Sequence, residues 1–307
     1  MGRRECRFIA DLYYQVQDQR ITLDHEARAC EAHGESPRFL ASFAAIFEHF
    51  ENLIRASLQV FAQEYAVSRW CMAQVGVGPV ITAGLIAEVD IRVAKTAGKL
   101  WRFAGLDPTV KWQKGQRRPY NAFLKSLCAF KLGESFVHTC NNPKSYYGRI
   151  YREAKERYQR LNEMGYYRET AQREMEEAKA SGRWRKLSAD GTYLRCWQEG
   201  KLPPAHIHAR ARRKAVQVFL SHLHEVMYRD YYSQEPPSPY ILVYEPEKHT
   251  VRLDPQGWPC DGRPLRELYA LDERVTAATK VVNAIQNEWE KVQEKKAAIT
   301  IPNSWDE

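Results

Sequence analysis

Pro203-Pro204-Ala205-His206-Ile207-His208-Ala209-Arg210-Ala211-Arg212-Arg213-Lys214-Ala215, continued by Val216 to Tyr231, is the stretch on which the fold turns. Proline suits the first helical position, where its missing N–H costs nothing, so the pair predicts a helix from Ala205 to about Tyr231. Ile207, Ala211, Ala215, Val218, Phe219, His222 and Val226 recur at three- and four-residue spacing and mark one buried face. His208, Arg210, Arg212, Arg213 and Lys214 crowd the first turns. Cations there oppose the helix macrodipole, which implies an external anion as their partner.

The same periodicity recurs upstream. Phe8 to Val16 reads as a short mixed segment, and Gly34 interrupts the chain. Ser36-Pro37 then reads as an N-cap with proline at the first helical position. Phe39, Phe43, Ile46, Phe47, Phe50, Ile54, Leu58 and Phe61 give the following helix an apolar face over six turns. Such a face either folds back on a neighbour or pairs with a second copy of the chain. Thr96 to Phe103 is a short helix ended by Gly105 and Pro108. Asn121 caps a helix from Phe123 to Val137 with Leu124, Leu127, Cys128 and Leu132 inward, and Thr139 to Gly148 is a turn. Ile150 to Ala180 is a charged helix pair broken near Gly165, followed by an aromatic connector with Trp184, Tyr193 and Trp197. After the linker Pro236-Pro237-Ser238-Pro239, Tyr240 to Tyr244 and Thr250 to Leu253 read as a β-hairpin around Glu245-Pro246-Glu247-Lys248. Arg263 to about Lys296 reads as a polar helix.

Composition narrows the function. In 307 residues, 44% hydrophobic and 27% charged content is ordinary globular usage, which excludes disordered and fibrous classes. The best membrane-span window, Val75 to Val89, is short and broken by glycine, so no membrane partner is expected. The first residues lack the apolar core of a signal peptide, and seven scattered Cys form no CxxC pair. This fits reduced thiols in a cytoplasm and excludes the common cysteine zinc modules. The net charge of +8 conceals a sharper division. Residues 76–230 carry +14, whereas residues 1–75 carry −2 and residues 231–307 carry −4. A basic block between acidic ends is the footprint of a phosphate-backbone partner.

Two further segments fit that partner. Gly76-Val77-Gly78-Pro79 has the form of the turn of a helix–hairpin–helix, exposing helix N-terminal N–H groups to a phosphate. The same spacing also serves as a packing device. Lys111, Trp112, Lys114, Gln116, Arg117, Arg118 and Tyr120 interleave cations with flat rings, as backbone contact and base stacking require.

A catalyst is not legible. His206/His208 and His222/His224 are each two apart, so neither pair shares a helix face, and His222 reads as a core or interface histidine. No GxSxG, HExxH or Walker pattern occurs. Asp11, Asp18, Asp24, Glu88, Asp90 and Asp107 lie in no strand pattern able to converge them on Mg²⁺, and Asp107 before Pro108 reads as a turn former. We therefore expect a non-enzymatic binding protein with no metal and no cofactor.

Gly76-Val77-Gly78-Pro79-Val80-Ile81-Thr82-Ala83 through Glu88, followed by Ala104-Gly105-Leu106-Asp107-Pro108, resembles the C-terminal domain of the bridge-RNA-guided insertion-sequence transposases. Two features of that family are unmatched: the preceding domain with its acidic quartet, and the Ser-Gly nucleophile region, where this chain reads Thr109-Val110-Lys111-Trp112. Phe123 to Ile150, ending Asn142-Pro143-Lys144-Ser145-Tyr146-Tyr147-Gly148-Arg149-Ile150, resembles the Nop domain of box C/D ribonucleoproteins. Together the two are similar to the Tas proteins of tandem-interspaced-guide-RNA systems, over about residues 40–230. The resemblance implies a mainly α protein: a coiled-coil, dimerising region at 1–75, a Nop-like RNA-binding domain at 76–232, and a small hairpin and helix at 240–300. It implies a guide RNA held at Asn142, Lys144, Arg149, Arg210, Arg212, Arg213 and Lys214. It further implies a target DNA read by base pairing, and a homodimer through the residue 37–70 helix. The other reading is a divergent or degenerate transposase acting through Mg²⁺ or a serine such as Ser126. A third is a regulatory DNA-binding module using the hairpin alone.

Overall fold

Polar residues dominate the first thirty positions, yet Cys6, Ala10, Tyr13 and Val16 recur about once per turn and are buried. In the computed structural model, which describes residues 1–110, 112–182, 191–237 and 254–298, this narrow stripe seats a long helix, α1 (Arg3–Ala32). The segment Phe8 to Val16 is thus one part of an eight-turn helix. Its partner is α2 (Arg38–Glu64), reached through a turn in which Gly34 adopts φ +79°. The capping residue of α2 is Pro37, not Ser36, because the Arg38 N–H bonds the Ser36 carbonyl and the helix starts one residue later than its sequence signal.

The fold-back accounts for half of the α2 apolar line. Ile54, Leu58 and Phe61 are buried, whereas Phe39 is 82% exposed and Phe43, Ile46 and Phe50 are also exposed. Glu51 clamps the two helices, accepting hydrogen bonds from Tyr13 Oη at 2.8 Å, Gln17 Nε2 at 2.9 Å and Arg20 Nε at 2.8 Å.

Next come α3 (Ala66–Ala73) and α4 (Pro79–Glu88); α4 is apolar all round and almost wholly buried, as a central helix must be. Thr96 caps α5 (Ala97–Phe103), accepting from Lys99 N–H. Asn121 caps the expected helix in the same way, accepting from Leu124 N–H at 2.9 Å. That helix runs through α6 (Ala122–Ser126), a wide π-helical stretch Leu127–Leu132, and α7 (Gly133–His138), with Leu124, Leu127, Cys128 and Leu132 buried. Gly165, at φ +77°, separates α8 (Tyr146–Glu163) from α9 (Arg168–Ala180). After α10 (Thr192–Gln198) comes α11 (Pro204–Tyr232), and all seven residues of its anticipated apolar face are buried.

α11 is the axis around which the rest packs. Phe219 stacks on Trp70 with ring centroids 5.7 Å apart and meets Phe136 and Tyr147 on its other sides. One continuous core takes buried side chains from Cys6 through Tyr269, and a smaller one gathers Tyr167, Ala171, Ala178, Trp197, Leu202 and Ile207. The last helix, α12 (Leu265–Ala298), docks through Leu265, Leu268 and Tyr269. The protein is mainly α. Among the described residues there is no sheet, only a bridge pairing Tyr65 with Arg263. The expected hairpin, Lys111 and Trp184 lie outside the described residues. Among those described, no helix is long and apolar enough to cross a membrane.

Candidate nucleic-acid interface

The five cations at the start of α11 do not form one surface. Arg212 forms an ion pair with Glu134 of α7, lies over the Phe130 ring and abuts Gly133. His208 shares a 2.8 Å hydrogen bond with Tyr151 Oη, and burial together with nearby Lys155 lowers its pKa toward the neutral form. The expectation that these two await an external anion is corrected: their partners come from elements 57 to 78 residues away in sequence. His206, likewise, is 2.8 Å from Glu174.

Arg210, Arg213 and Lys214 are different. Arg210 lies over the Tyr167 ring at 4.9 Å, and Arg213 and Lys214 are exposed. Among the described residues no carboxylate lies within ion-pair distance of the three. Desolvation by the surrounding chain and the like charge of Arg157 lower the pKa of Lys214; desolvation and Arg210 do the same to Arg213. Like charges held together in this way carry an electrostatic cost that a polyanion relieves. Arg157, on α8, was not singled out in the sequence because it lies in a run of alternating signs typical of a solvated helix face.

The same face of α11 anchors the basic, aromatic loop. Positions 210, 213, 214 and 217 share a helix face. Gln217 uses its carbonyl to accept from Trp101 Nε1 at 3.0 Å and its side-chain amide to donate to the Leu106 carbonyl at 3.0 Å. The loop leaving Leu106 begins with a turn in which Asp107 Oδ1 accepts from the Thr109 N–H and hydroxyl, bonds that hold its pKa below the ordinary carboxylate value. Asp107 is thus the turn former its sequence context indicated. Beyond it, Trp112, Lys114, Arg117 and Arg118 are all exposed. Trp112 Nε1 donates to the Gln116 carbonyl at 2.8 Å, and Arg118 lies over the indole at 5.6 Å. A cleft of about 180 Å³ opens between this loop and α5, lined by Arg102, Asp107, Trp112, Tyr120 and Lys125. Two cations and two flat rings in one cleft match the needs of a nucleotide. Arg102 and Lys125 were missed because their neighbours in the cleft are up to 23 residues away in sequence; Lys125 sits 4.2 Å from the Tyr120 ring centroid.

The turn between α7 and α8 stands apart. Asn142, Lys144 and Arg149 are exposed, but their contacts stay local: Asn142 Oδ1 accepts from Lys144 N–H, and Arg149 pairs with Glu153 at 3.8 Å. Ser145 caps α8 through the Gly148 N–H.

The glycine turn before α4 divides between its two readings. Gly76 adopts φ +96° and receives the Ser135 hydroxyl on its carbonyl, and an added Cβ would meet Ser135 Oγ at 2.9 Å. It is a packing glycine. Gly78 is open and borders a cleft of about 550 Å³ between α1, α4 and α7, whose lining includes Tyr14, Ile81 and Phe130 together with Arg55, Lys131, His138 and Glu134.

His222 is 2% exposed and shares a 2.8 Å hydrogen bond with Tyr147 Oη, which places it in the core. Among the described residues no three His, Cys, Asp or Glu side chains gather to hold a metal ion. Asp11 and Glu88 pair with Arg7, Asp24 with Arg20, and Asp90 with Arg3 and Arg92. Ser126 is exposed on α6. Compared with protein-family profiles, curated proteins and solved structures, the chain matches none.

Proposed function

We propose that this is an RNA-binding protein that holds a guide RNA across α11, α8 and the loop after α5, and leaves the reading of target DNA to the RNA's bases. The observation that carries this reading is the grouping of Arg157, Arg210, Arg213 and Lys214, the last three without a carboxylate partner among the described residues, beside a loop of exposed cations and rings. Backbone contacts of this kind hold a nucleic acid by shape and charge, and the exposed Trp112 offers a platform on which an unpaired base stacks. The resemblance to Tas proteins supports guide RNA over duplex DNA as the primary ligand. The transposase reading lacks comparable support: five of its six candidate carboxylates are spent on arginines or a turn.

The test is to purify the chain from its native locus and sequence the nucleic acid that accompanies it. Discrete short RNAs from one repeated array are expected. Random cellular RNA, or none, overturns the guide assignment, and Mg²⁺-dependent DNA cleavage by the purified complex overturns the non-enzymatic one.

A further inference from the structure

The helix α12 is polar in composition but not around its circumference. Leu268, Leu271, Val275, Ala278, Val282, Ile285 and Trp289 succeed one another at alternating intervals of three and four residues. Leu268 is fully buried against the body and Leu271 is half-buried. The hydrogen bonds and ion pairs of α12 to other elements end with Asp272, held by Arg3, and Glu273, held by Arg92. From there to Lys291 every residue is exposed, including Val275 at 51%, Val282 at 59%, Ile285 at 65% and Trp289 at 61%. The apolar line that seats the helix therefore continues for about four turns past the body, with no described residue of another element bonded to it.

We propose that this projecting segment is one strand of a parallel, two-stranded coiled coil formed with a second copy of the chain. A strict seven-residue repeat matches a supercoiled partner rather than a flat protein surface, because only supercoiling keeps a 3.5-residue period in contact. With Val275, Val282 and Trp289 at the a positions and Ala278 and Ile285 at d, the charged residues Lys280, Glu290, Lys291 and Glu294 fall on the outer face. The flanking positions that meet across a parallel, in-register pair are Arg274 with Thr279, Val281 with Gln286, and Glu288 with Gln293. None is like-charged, so self-pairing is unopposed, and Val281, itself 59% exposed, widens the apolar contact. Valine at the a positions favours two strands, against the contrary preference of Ile285 at d, and a trimeric mass overturns the two-stranded pairing. The parallel pair leaves both bodies side by side at one end. This moves the dimer contact from the residue 37–70 helix to α12.

The experiment uses the full-length chain in light scattering coupled to size exclusion, with circular dichroism as the folding control. The expected mass is twice that of the 35.7 kDa chain. Val282→Glu combined with Ile285→Glu is expected to give a folded monomer, whereas Phe43→Glu combined with Phe50→Glu leaves the dimer intact. Under mild oxidation Ile285→Cys is expected to cross-link to itself above the background of the native thiols, and the outward Asn283→Cys is not. A monomeric wild type, a dimer that survives the α12 charges, or a dimer lost through α2 instead overturns the proposal. A dimer in which Ile285→Cys forms no bond overturns the parallel pairing.

Discussion

Arg212 and Arg213 are adjacent in sequence, and the structure gives them opposite consequences. Arg213→Ala combined with Lys214→Ala removes two cations that have no carboxylate partner among the described residues. Each phosphate contact on a single strand contributes about 0.7 to the slope of log K against log salt, so the slope is expected to fall by about 1.4. If that contribution vanishes near ~1 M salt, each contact is worth about fivefold in affinity at ~0.1 M, and the pair about twenty-five-fold, or roughly 2 kcal/mol. Arg212→Ala, in contrast, removes an ion pair whose Glu134 is 41% exposed, together with packing against Gly133 and Phe130. It is expected to cost about 1 kcal/mol of folding stability and to leave the salt slope unchanged. Fluorescence anisotropy with a labelled polyuridylate oligonucleotide over a salt series measures the first effect, and urea unfolding measures the second. Unchanged affinity and slope for the Arg213/Lys214 variant, or a slope that falls only with Arg212, refutes the assignment of the open face as the RNA surface.

Phe219→Ala empties the space between Trp70, Phe136 and Tyr147 and is expected to cost about 3–5 kcal/mol, read as a lower urea midpoint at unchanged m-value. Glu51 is held below the ordinary carboxylate pKa: burial pushes it up, but the hydrogen bonds from Arg20, Gln17 and Tyr13 outweigh that. Its stabilising contribution is therefore present above about pH 4.5 and lost as pH falls below that value, so the stability gap between wild type and Glu51→Gln should be wide at pH 7 and narrow in acid. Gly76→Ala forces a side chain into a positive-φ position against Ser135 and is expected to destabilise by more than about 1 kcal/mol without changing the salt slope of RNA binding; a changed slope restores the phosphate role of that turn.

Much of this was legible in the sequence where the cause is local. The apolar face of α11, the caps at Thr96 and Asn121, and the turn at Asp107 all depend on residues within a few positions of one another. What stayed hidden depends on distance along the chain. The stripe that buries α1 is one residue wide per turn and submerged in polar neighbours. The acid-free run around Arg212 looked unpaired because Glu134 arrives from another helix. α12 read as polar because its repeat is diluted by charges on the opposite face. Charge counted along the sequence located the basic block; only the fold separated the cations that build the core's edge from those left facing outward.

The π-helical stretch Leu127–Leu132 makes that separation depend on chain length. A π turn holds more residues than an α turn, so the stretch acts as a spacer that sets the phase of all that follows. Deleting one residue there lets the helix relax to α geometry and leaves the downstream segment within about 10° of its phase, because six residues at about 4.4 per turn sweep nearly the angle of five at about 3.6. Glu134 would stay beside Arg212, and Ser135 beside the Gly76 carbonyl. The stretch therefore tolerates the loss of one residue, whereas deleting a second would rotate α7 by about 100°, set Arg212 free and loosen the hairpin before α4 in one step.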